Sequence, residues 1–387
     1  MAGRADGSRE SCEGSQIVTP TFTPGALWLD DHGVHINAHG GGVLFHQGTY
    51  YWFGEHKIAG PAGNQAHVGI HCYSSRDLSA WRDEGIALAV ATDPASEIAT
   101  GGVLERPKVI YNSGTKQFVM WFHLEKQPGY VDARSGVAVA DSPTGPYRFR
   151  RSVRPNAGFW PVNVRPDQQD PATCAAAIQA GDNFSNAENE KTPRFNILGR
   201  DFASGQHARD MTIFQDADGT AYHVYSSEHN STTHIAQLSD DYLQHTGRYG
   251  RVFAQRWMEA PAICQSQGRY YFLASGCTGW DPNPARAAVA DSIWGPWKET
   301  GNPCHGVNPQ NKMGPELTYG GQSTFILPVA GQPGAFIAMF DIWRPQNAID
   351  GRYVWLPIQF DQGRLRIEWQ NEWDLAWFNG RRNSPIV

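Results

Sequence analysis

The stretch Val137-Ala-Val-Ala-Asp-Ser-Pro-Thr-Gly-Pro-Tyr147 returns later in the chain as Ala287-Ala-Val-Ala-Asp-Ser-Ile-Trp-Gly-Pro-Trp297, a near copy. Each copy is a short apolar run that breaks at an Asp-Ser turn and a Gly-Pro step, so it reads as a strand entering a tight turn. A divergent version, Ile235-Ala-Gln-Leu-Ser-Asp-Asp-Tyr-Leu-Gln-His-Thr-Gly247, and an earlier one, His71-Cys-Tyr-Ser-Ser-Arg-Asp-Leu-Ser-Ala-Trp81, share the plan. Hairpins accompany them. Aromatic or β-branched runs lie at Tyr50 to Phe53, Gln117 to His123, Ala221 to Tyr225, Tyr270 to Leu273 and Phe336 to Phe340, most after a turn such as His46-Gln47-Gly48 or Ser266-Gln267-Gly268. About five modules of one supersecondary plan point to an all-β fold, a five-bladed β-propeller.

Composition agrees. The chain has 387 residues with 41 Gly, 25 Pro and 14 Trp, and no sustained 3.6-residue apolar period. No linker interrupts the repeats, so a single propeller domain is expected over 31–387, after an N-terminal tail at 1–30 whose first part, Met1 to Pro20, is polar. No signal peptide is expected there. An insertion at about 150–206, with Pro155, Pro161, Pro166 and Cys174-Ala-Ala-Ala-Ile-Gln-Ala180, is expected to form an irregular loop with one short helix on the pocket rim. A formal net charge of −6 without a Lys/Arg cluster argues against nucleic acid as partner, and no apolar run is long enough for a membrane span. The six cysteines show no CxxC spacing and no metal-ligand pairing with histidine, which argues against a zinc site; Cys72 and Cys264 read as free buried thiols.

The polar residues that carry chemistry gather at strand ends. In His35-Ile-Asn-Ala-His-Gly-Gly-Gly-Val-Leu-Phe-His46 the glycines permit close backbone approach, and His35, Asn37, His39 and the later Glu55 read as the lip of a sugar pocket. Glu105 in Glu105-Arg-Pro107, Asp210 in Arg209-Asp-Met211 and Glu259 in Glu259-Ala-Pro261 occupy comparable places in successive modules. A propeller converges such places on one axial opening, where crowded, partly buried carboxylates have their pKa values pushed apart, as acid–base chemistry on a glycosidic bond requires. The structural alternative for Asp210 is an ion pair with Arg209 or Arg106.

From about His35 to Trp373 the chain resembles glycoside hydrolase family 43, in its exo-β-1,3-galactanase-like branch. The resemblance is carried by Asn37-Ala-His-Gly-Gly-Gly42, the three carboxylate motifs above and Gly320-Gly-Gln-Ser-Thr324. It implies an inverting hydrolase that releases terminal galactose from β-1,3-galactan-type chains, with Glu259 as general acid and Asp210 tuning it. The family's usual aspartate base on the first blade is missing, since Ala38-His39 stands in its place. In this branch a glutamine matching Gln322 is thought to act as base in its imidic acid form, assisted by a glutamate matching Glu105. An amide is a very weak base, so a second assignment has Gln322 holding the water and Glu105 taking its proton.

The resemblance also places Glu55, Tyr130, Asn230 and Thr278 around the terminal galactose. Trp280, Trp343 and Trp355 compete to be its aromatic platform. Asp341 and Arg344 are expected behind the pocket. Many family members hold a calcium or other ion on the propeller axis through a histidine; Gln322 stands where that histidine is expected, so no cofactor is required and a structural calcium lacks its usual ligand. An oligosaccharide or polysaccharide substrate, a monomeric state and an extracellular or periplasmic location complete the expectation. The alternatives are an α-L-arabinofuranosidase or β-xylosidase of the same fold, or a non-catalytic carbohydrate-binding propeller that has lost its base.

Overall fold

The protein is described by a computed structural model covering residues 21–126, 129–180 and 196–381. Five antiparallel sheets succeed one another along the chain. Blade 1 comprises His39–His46, Thr49–His56, Gly69–Ser75 and Arg82–Ala89; blade 2 comprises Val103–Asn112, Gln117–Glu125, Arg134–Ala140 and Arg148–Val153. Blade 3 comprises Met211–Gln215, Ala221–Ser227, Thr232–Leu238 and His245–Val252; blade 4 comprises Met258–Ser266, Arg269–Gly276, Arg286–Ala290 and Lys298–Gly301. Blade 5 is built from Gln322–Pro328, Phe336–Ile342, Arg352–Asp361 and Arg364–Glu368, with Cys304–His305 added in parallel at its outer edge. The first strand of each blade packs against its counterparts in the neighbouring blades, closing a ring. The five aromatic runs read from the sequence are the second strands.

The repeated motif has one physical cause. In blades 2 and 4 it forms the turn before the outermost strand, and its last aromatic reaches back to close that turn: the Tyr147 hydroxyl donates to Pro143 O at 3.1 Å, and the Trp297 indole N–H to Ile293 O at 3.1 Å. Trp81 closes the blade 1 turn in the same manner, onto Leu78 O.

The hydrophobic core is divided into five clusters, each filling the seam between two adjacent blades. Both faces of a blade are therefore buried, and its strands read as continuous apolar runs rather than alternating ones. The seam between blades 1 and 5 holds Trp52, Trp81, Trp355 and Trp373, with Trp28 packed against them. Trp355 thus belongs to the core and is no sugar platform.

Residues 21–30, expected in the tail, belong to the propeller. Thr21–Phe22 pairs antiparallel with Trp373–Asp374, and Phe22 stacks on Trp373 at 4.3 Å. Joining the two chain ends at one seam locks the ring, because neither blade 1 nor blade 5 can peel away without unstacking aromatics. Met1 to Pro20 lies outside the described residues.

The insertion also differs from expectation. Blade 2 runs on to Val153, and the described residues beyond it contain a 3₁₀ turn at Pro166–Gln169 and the helices Pro171–Ala180 and Ile197–Arg200, where one helix was expected. It packs along blades 2 and 3, with Leu198 in their seam and the Val162 N–H donating to Tyr249 O. The Arg200 guanidinium of this segment meets His229 at 3.1 Å.

Candidate active site

Four of the five innermost strands carry a β-bulge at one level, between His39 and Gly42, Glu105 and Lys108, Glu259 and Ala262, and Ser323 and Phe325. In three of them the second residue of the bulge has a left-handed backbone: Gly40 at φ +62°, Arg106 at +56° and Ala260 at +53°. Such a bulge bends the strand and turns one side chain out of the blade seam toward the axis. That is how Glu105 and Glu259, from different blades, come to face one cavity. At Gly40 the bulge admits no side chain, since a Cβ would collide with the Glu55 carboxylate.

The cavity has a volume of about 210 Å³ and is lined by Glu55, Lys57, Asn64, Glu105, Arg106, Tyr130, Asp210, Glu259, Gly279, Trp280, Gln322 and Trp343. A second cavity of about 430 Å³ shares Tyr130, Asp210 and Glu259 with it and adds His229, Asn230, Trp257 and Cys277. Most of the residues singled out in the sequence therefore converge. Asn230 lines the second cavity and donates to Glu259 Oε1 at 2.8 Å. Thr278 lines neither: its hydroxyl donates to Asp281 O and accepts from Asn283, tying its own loop together. The histidines of the first stretch are structural, His35 bonding Trp28 O and Gly351 O and His39 lying buried against the Tyr353 ring. Asn37 spends its side chain on the backbone of Lys57.

Glu259 is half-buried and its carboxyl is pushed up to about 8, first by desolvation and then by the Asp210 charge. It holds its proton at neutral pH. Asp210 is pinned by Arg106, Nη2 to Oδ2 at 2.8 Å, and by the Ala260 N–H at 3.0 Å, so its expected partner Arg106 is present and leaves the carboxylate beside Glu259. Glu105 is the opposite case. Burial would raise it, but the hydrogen bond and charge of His123, the charge of Lys57 and the Tyr130 hydroxyl at 2.6 Å hold it well below the usual carboxylate range. His123 in turn is lifted to about 9 by Glu105 and Glu125, which outweigh its burial. Glu55 is raised by burial and accepts from Lys57 Nζ and from the Arg106 N–H.

Gln322 shows its orientation by its partners. Its Oε1 accepts from Arg106 Nη2 at 2.7 Å and from Trp343 Nε1 at 2.9 Å, and its Nε2 donates to Ser275 Oγ at 2.9 Å. Arginine and tryptophan can only donate, so the oxygen faces them and carries no proton. In this orientation the contacts suit the amide form, since an O–H at that position would be set against two N–H donors.

Arg106, Lys57, Asn64, His123 and Cys277 complete the site without having been singled out as members of it. Arg106 and His123 were legible only as neighbours of Glu105 and as part of a strand, while Lys57 and Asn64 sit on an irregular segment after Glu55 that carries no pattern.

The fit of a metal can be tested on two places. Glu105, His123 and Asp210 bring one ligand atom each within 4.8 Å of one another. Both nitrogens of His123 already face carboxylates and Asp210 faces Arg106, so this trio is paired internally and does not fit a cation. Within the ring of inner strands, Lys108 is buried with Nζ at 3.0 Å from Gly40 O and 3.3 Å from Arg106 O, and its stem lies against Gly42. An amine takes up carbonyls that a calcium would need, so this place does not fit calcium either.

The sequence profile of "Glycosyl hydrolases family 43" matches residues 180–326. A solved family 43 β-1,3-galactosidase with galactodeoxynojirimycin is 48% identical, covering 92% of this chain and 100% of that one at a TM-score of 0.83. The exo-β-1,3-galactanase of Phanerochaete chrysosporium with β-1,3-galactotriose is 30% identical over 92% of this chain and 68% of that one, TM-score 0.71. The exo-β-1,3-galactanase of Clostridium thermocellum is 30% identical over 91% and 66%, TM-score 0.72. No curated protein sequence matches the chain.

Proposed function

The chain belongs to glycosyl hydrolase family 43, and from that premise we propose that it releases the terminal galactose of β-1,3-linked galactan chains with inversion of configuration. One observation carries the reading: Glu259, whose pKa is raised by burial and by the neighbouring Asp210 charge, lines one small cavity together with Glu105, which His123 and Lys57 hold ionised. The cavity of about 210 Å³ has room for a sugar ring, and Glu259 stands where it meets the second cavity, so a bond between the two would lie beside the acid. The 48% identical relative is itself a β-1,3-galactosidase, and it supports galactose over arabinose or xylose as the sugar released.

In this reading Glu259 gives its proton to the glycosidic oxygen, and the departing chain leaves through the second cavity, on whose border Glu259 stands. Asp210, ion-paired with Arg106, stays beside Glu259 as the charge that keeps it protonated until the bond breaks. Water attacks the anomeric carbon from the opposite face. Gln322, fixed as an amide, has both polar atoms already engaged and serves to hold Arg106 and the water in place, and Glu105 takes the water's proton. Glu55, Lys57, Asn64 and Tyr130 offer hydrogen bonds to sugar hydroxyls, while Trp343 and the exposed Trp280, edge to face at 5.6 Å, offer the apolar face.

The test is a proton NMR time course on β-1,3-galactobiose, with arabinan and xylan oligosaccharides alongside. α-Galactose as the first product supports the reading; β-galactose first, or sugar released only from arabinan or xylan, overturns it.

A further inference from the structure

We propose that His123 is a positioning residue of this hydrolysis: clamped as an imidazolium between Glu105 and Glu125, it fixes an ionised Glu105 toward the attacking water. The inference rests on the reading above, in which Glu105 receives the water's proton. His123 lies on the second strand of blade 2, directly across from Glu105 in register, and is almost wholly buried. Its Nδ1 is 3.0 Å from Glu105 Oε2 and its Nε2 is 3.0 Å from Glu125 Oε1. A neutral imidazole has one donor and one acceptor, and two carboxylates offer acceptors only, so the ring satisfies both neighbours when it carries two protons.

Glu125 is anchored independently. Its Oε2 accepts the backbone N–H groups of Asp132 at 2.6 Å and Ala133 at 3.1 Å, which favours the ionised form. The chain Glu125, His123, Glu105, Tyr130 therefore runs from a fixed backbone turn into the cavity, and each link is within hydrogen-bond distance. The charged and titratable groups around the ring include Glu105 on the inner strand of blade 2, Asp210 just before that of blade 3, Glu125 on its own strand, and Tyr130 of the following loop, ring centroids 5.8 Å apart. Arg209 acts on Glu125 and Lys57 on Glu105. Glu55 adds a further negative charge beside Glu105. Crowding of Glu55, Glu105 and Asp210 would by itself drive a proton onto one of them; the imidazolium opposes this at Glu105.

The step balances with one water. Its oxygen bonds to the anomeric carbon, the bond to the leaving oxygen breaks, one proton passes from Glu259 to that oxygen and one from the water to Glu105. Solvent then resets both carboxyls. His123 makes no bond to substrate; it acts through Glu105 alone.

The experiment measures kcat and KM on β-1,3-galactobiose from acid to alkaline pH in wild type, His123→Gln, Glu125→Gln and Glu105→Gln, with imidazole ¹⁵N NMR of wild type and Glu105→Gln. The expected result for His123→Gln is a loss of about 10- to 100-fold in kcat with little change in KM, less than the 10² to 10⁴ of losing an acid–base group outright. The acid limb of its kcat profile moves up by about one pH unit or more, because Glu105 has lost its cation. Glu125→Gln, which keeps an oxygen for the ring, moves the limb the same way by less and serves if His123→Gln does not fold. An acid limb that stays in place in a folded His123→Gln or Glu125→Gln overturns the proposal, as does a neutral His123 resonance in wild type at neutral pH. Wild-type kcat in Glu105→Gln overturns instead the reading beneath it, and the NMR result then stands apart from that failure.

Discussion

The guanidinium of Arg106 meets the amide oxygen of Gln322 at 2.7 Å with the same nitrogen that pairs at 2.8 Å with Asp210. One arginine thus ties the carboxylate beside the acid to the residue standing where a base is sought. Its backbone N–H binds Glu55, and its guanidinium lies 5.3 Å from the Trp343 ring centroid. Lysine can hold the charge but lacks the planar fork. Arg106→Lys is expected to keep the fold and lose kcat by about 10²-fold or more, the range of a misplaced catalytic constellation. Arg106→Met, which leaves the largely buried Asp210 without its cation, should cost about 3–5 kcal/mol in a denaturant titration. An Arg106→Lys enzyme with unchanged kcat would show that the fork is dispensable.

Glu259 gives a pH prediction for both activity and stability. Activity needs it protonated, so kcat/KM should fall as pH rises through about 8. Stability follows the same proton: the folded carboxyl sits above its unfolded value of 4.5, so the native state binds the extra proton and its advantage is lost as pH rises from 4.5 to about 8. Glu259→Gln removes the penalty. Its turnover should drop about 10²- to 10⁴-fold, while its melting temperature overtakes that of wild type progressively toward pH 8. Melting curves that run parallel across this window would refute the burial argument.

Gln322→Ala separates holding from proton transfer. The change leaves the donors of Arg106 and Trp343 facing the cavity and removes one amide. Binding of galactose should weaken by roughly tenfold or less, since one neutral hydrogen bond is worth about 0.5 to 1.5 kcal/mol, whereas hydrolysis should be nearly lost. If Gln322 and Glu105 act on one water, the double variant Gln322→Ala with Glu105→Gln is scarcely worse than either single. Multiplicative losses would assign them separate roles.

The sequence carried the strands better than the corners. Each second strand announces itself by an aromatic run after a turn, and Glu105, Asp210 and Glu259 stand at blade entries that any propeller aims at its axis. The left-handed bulge at Arg106 and Ala260 leaves no such mark, because neither residue is glycine, so Arg106 reads as an ordinary strand residue. Trp343 and Trp355 are equally apolar letters on one blade. Only the seam geometry, with both faces buried, sends Trp355 into the core and leaves Trp343 in the cavity. Thr278 failed for a related reason: the loop around it satisfies itself, and a short-range turn bond outcompetes any reach into the pocket.

Ring closure is one such silent feature, since two-residue strands have no periodicity to read. Phe22 is buried between Trp373, Trp28 and Trp355. Phe22→Ala should cost about 3–5 kcal/mol, the usual range for removing a buried aromatic. Hydrogen exchange should speed up first in Trp373–Asp374 and along the seam of blades 1 and 5 rather than evenly. Uniform loss of protection would mean that the ends do not lock the ring.

Lys108 yields the prediction about metals. Its amine bonds two carbonyls inside the ring of inner strands, where the resemblance to calcium-holding relatives raised the question of an ion, and burial together with Arg106 pushes it down to about 7. Chelator should therefore leave the melting temperature and kcat of wild type where they were, and added calcium should not raise them. The unfolded amine titrates near 10.5, so between about 7 and 10.5 the unfolded state binds the extra proton and the folded state gains stability as pH rises. Lys108→Met loses both carbonyl bonds, an expected cost of about 1–3 kcal/mol at neutral pH. It also loses this pH dependence, so the gap to wild type should widen as pH climbs through that window. A wild-type enzyme that melts earlier in chelator and recovers with calcium would contradict the assignment, because an ion and a buried lysine amine cannot share the same two carbonyls.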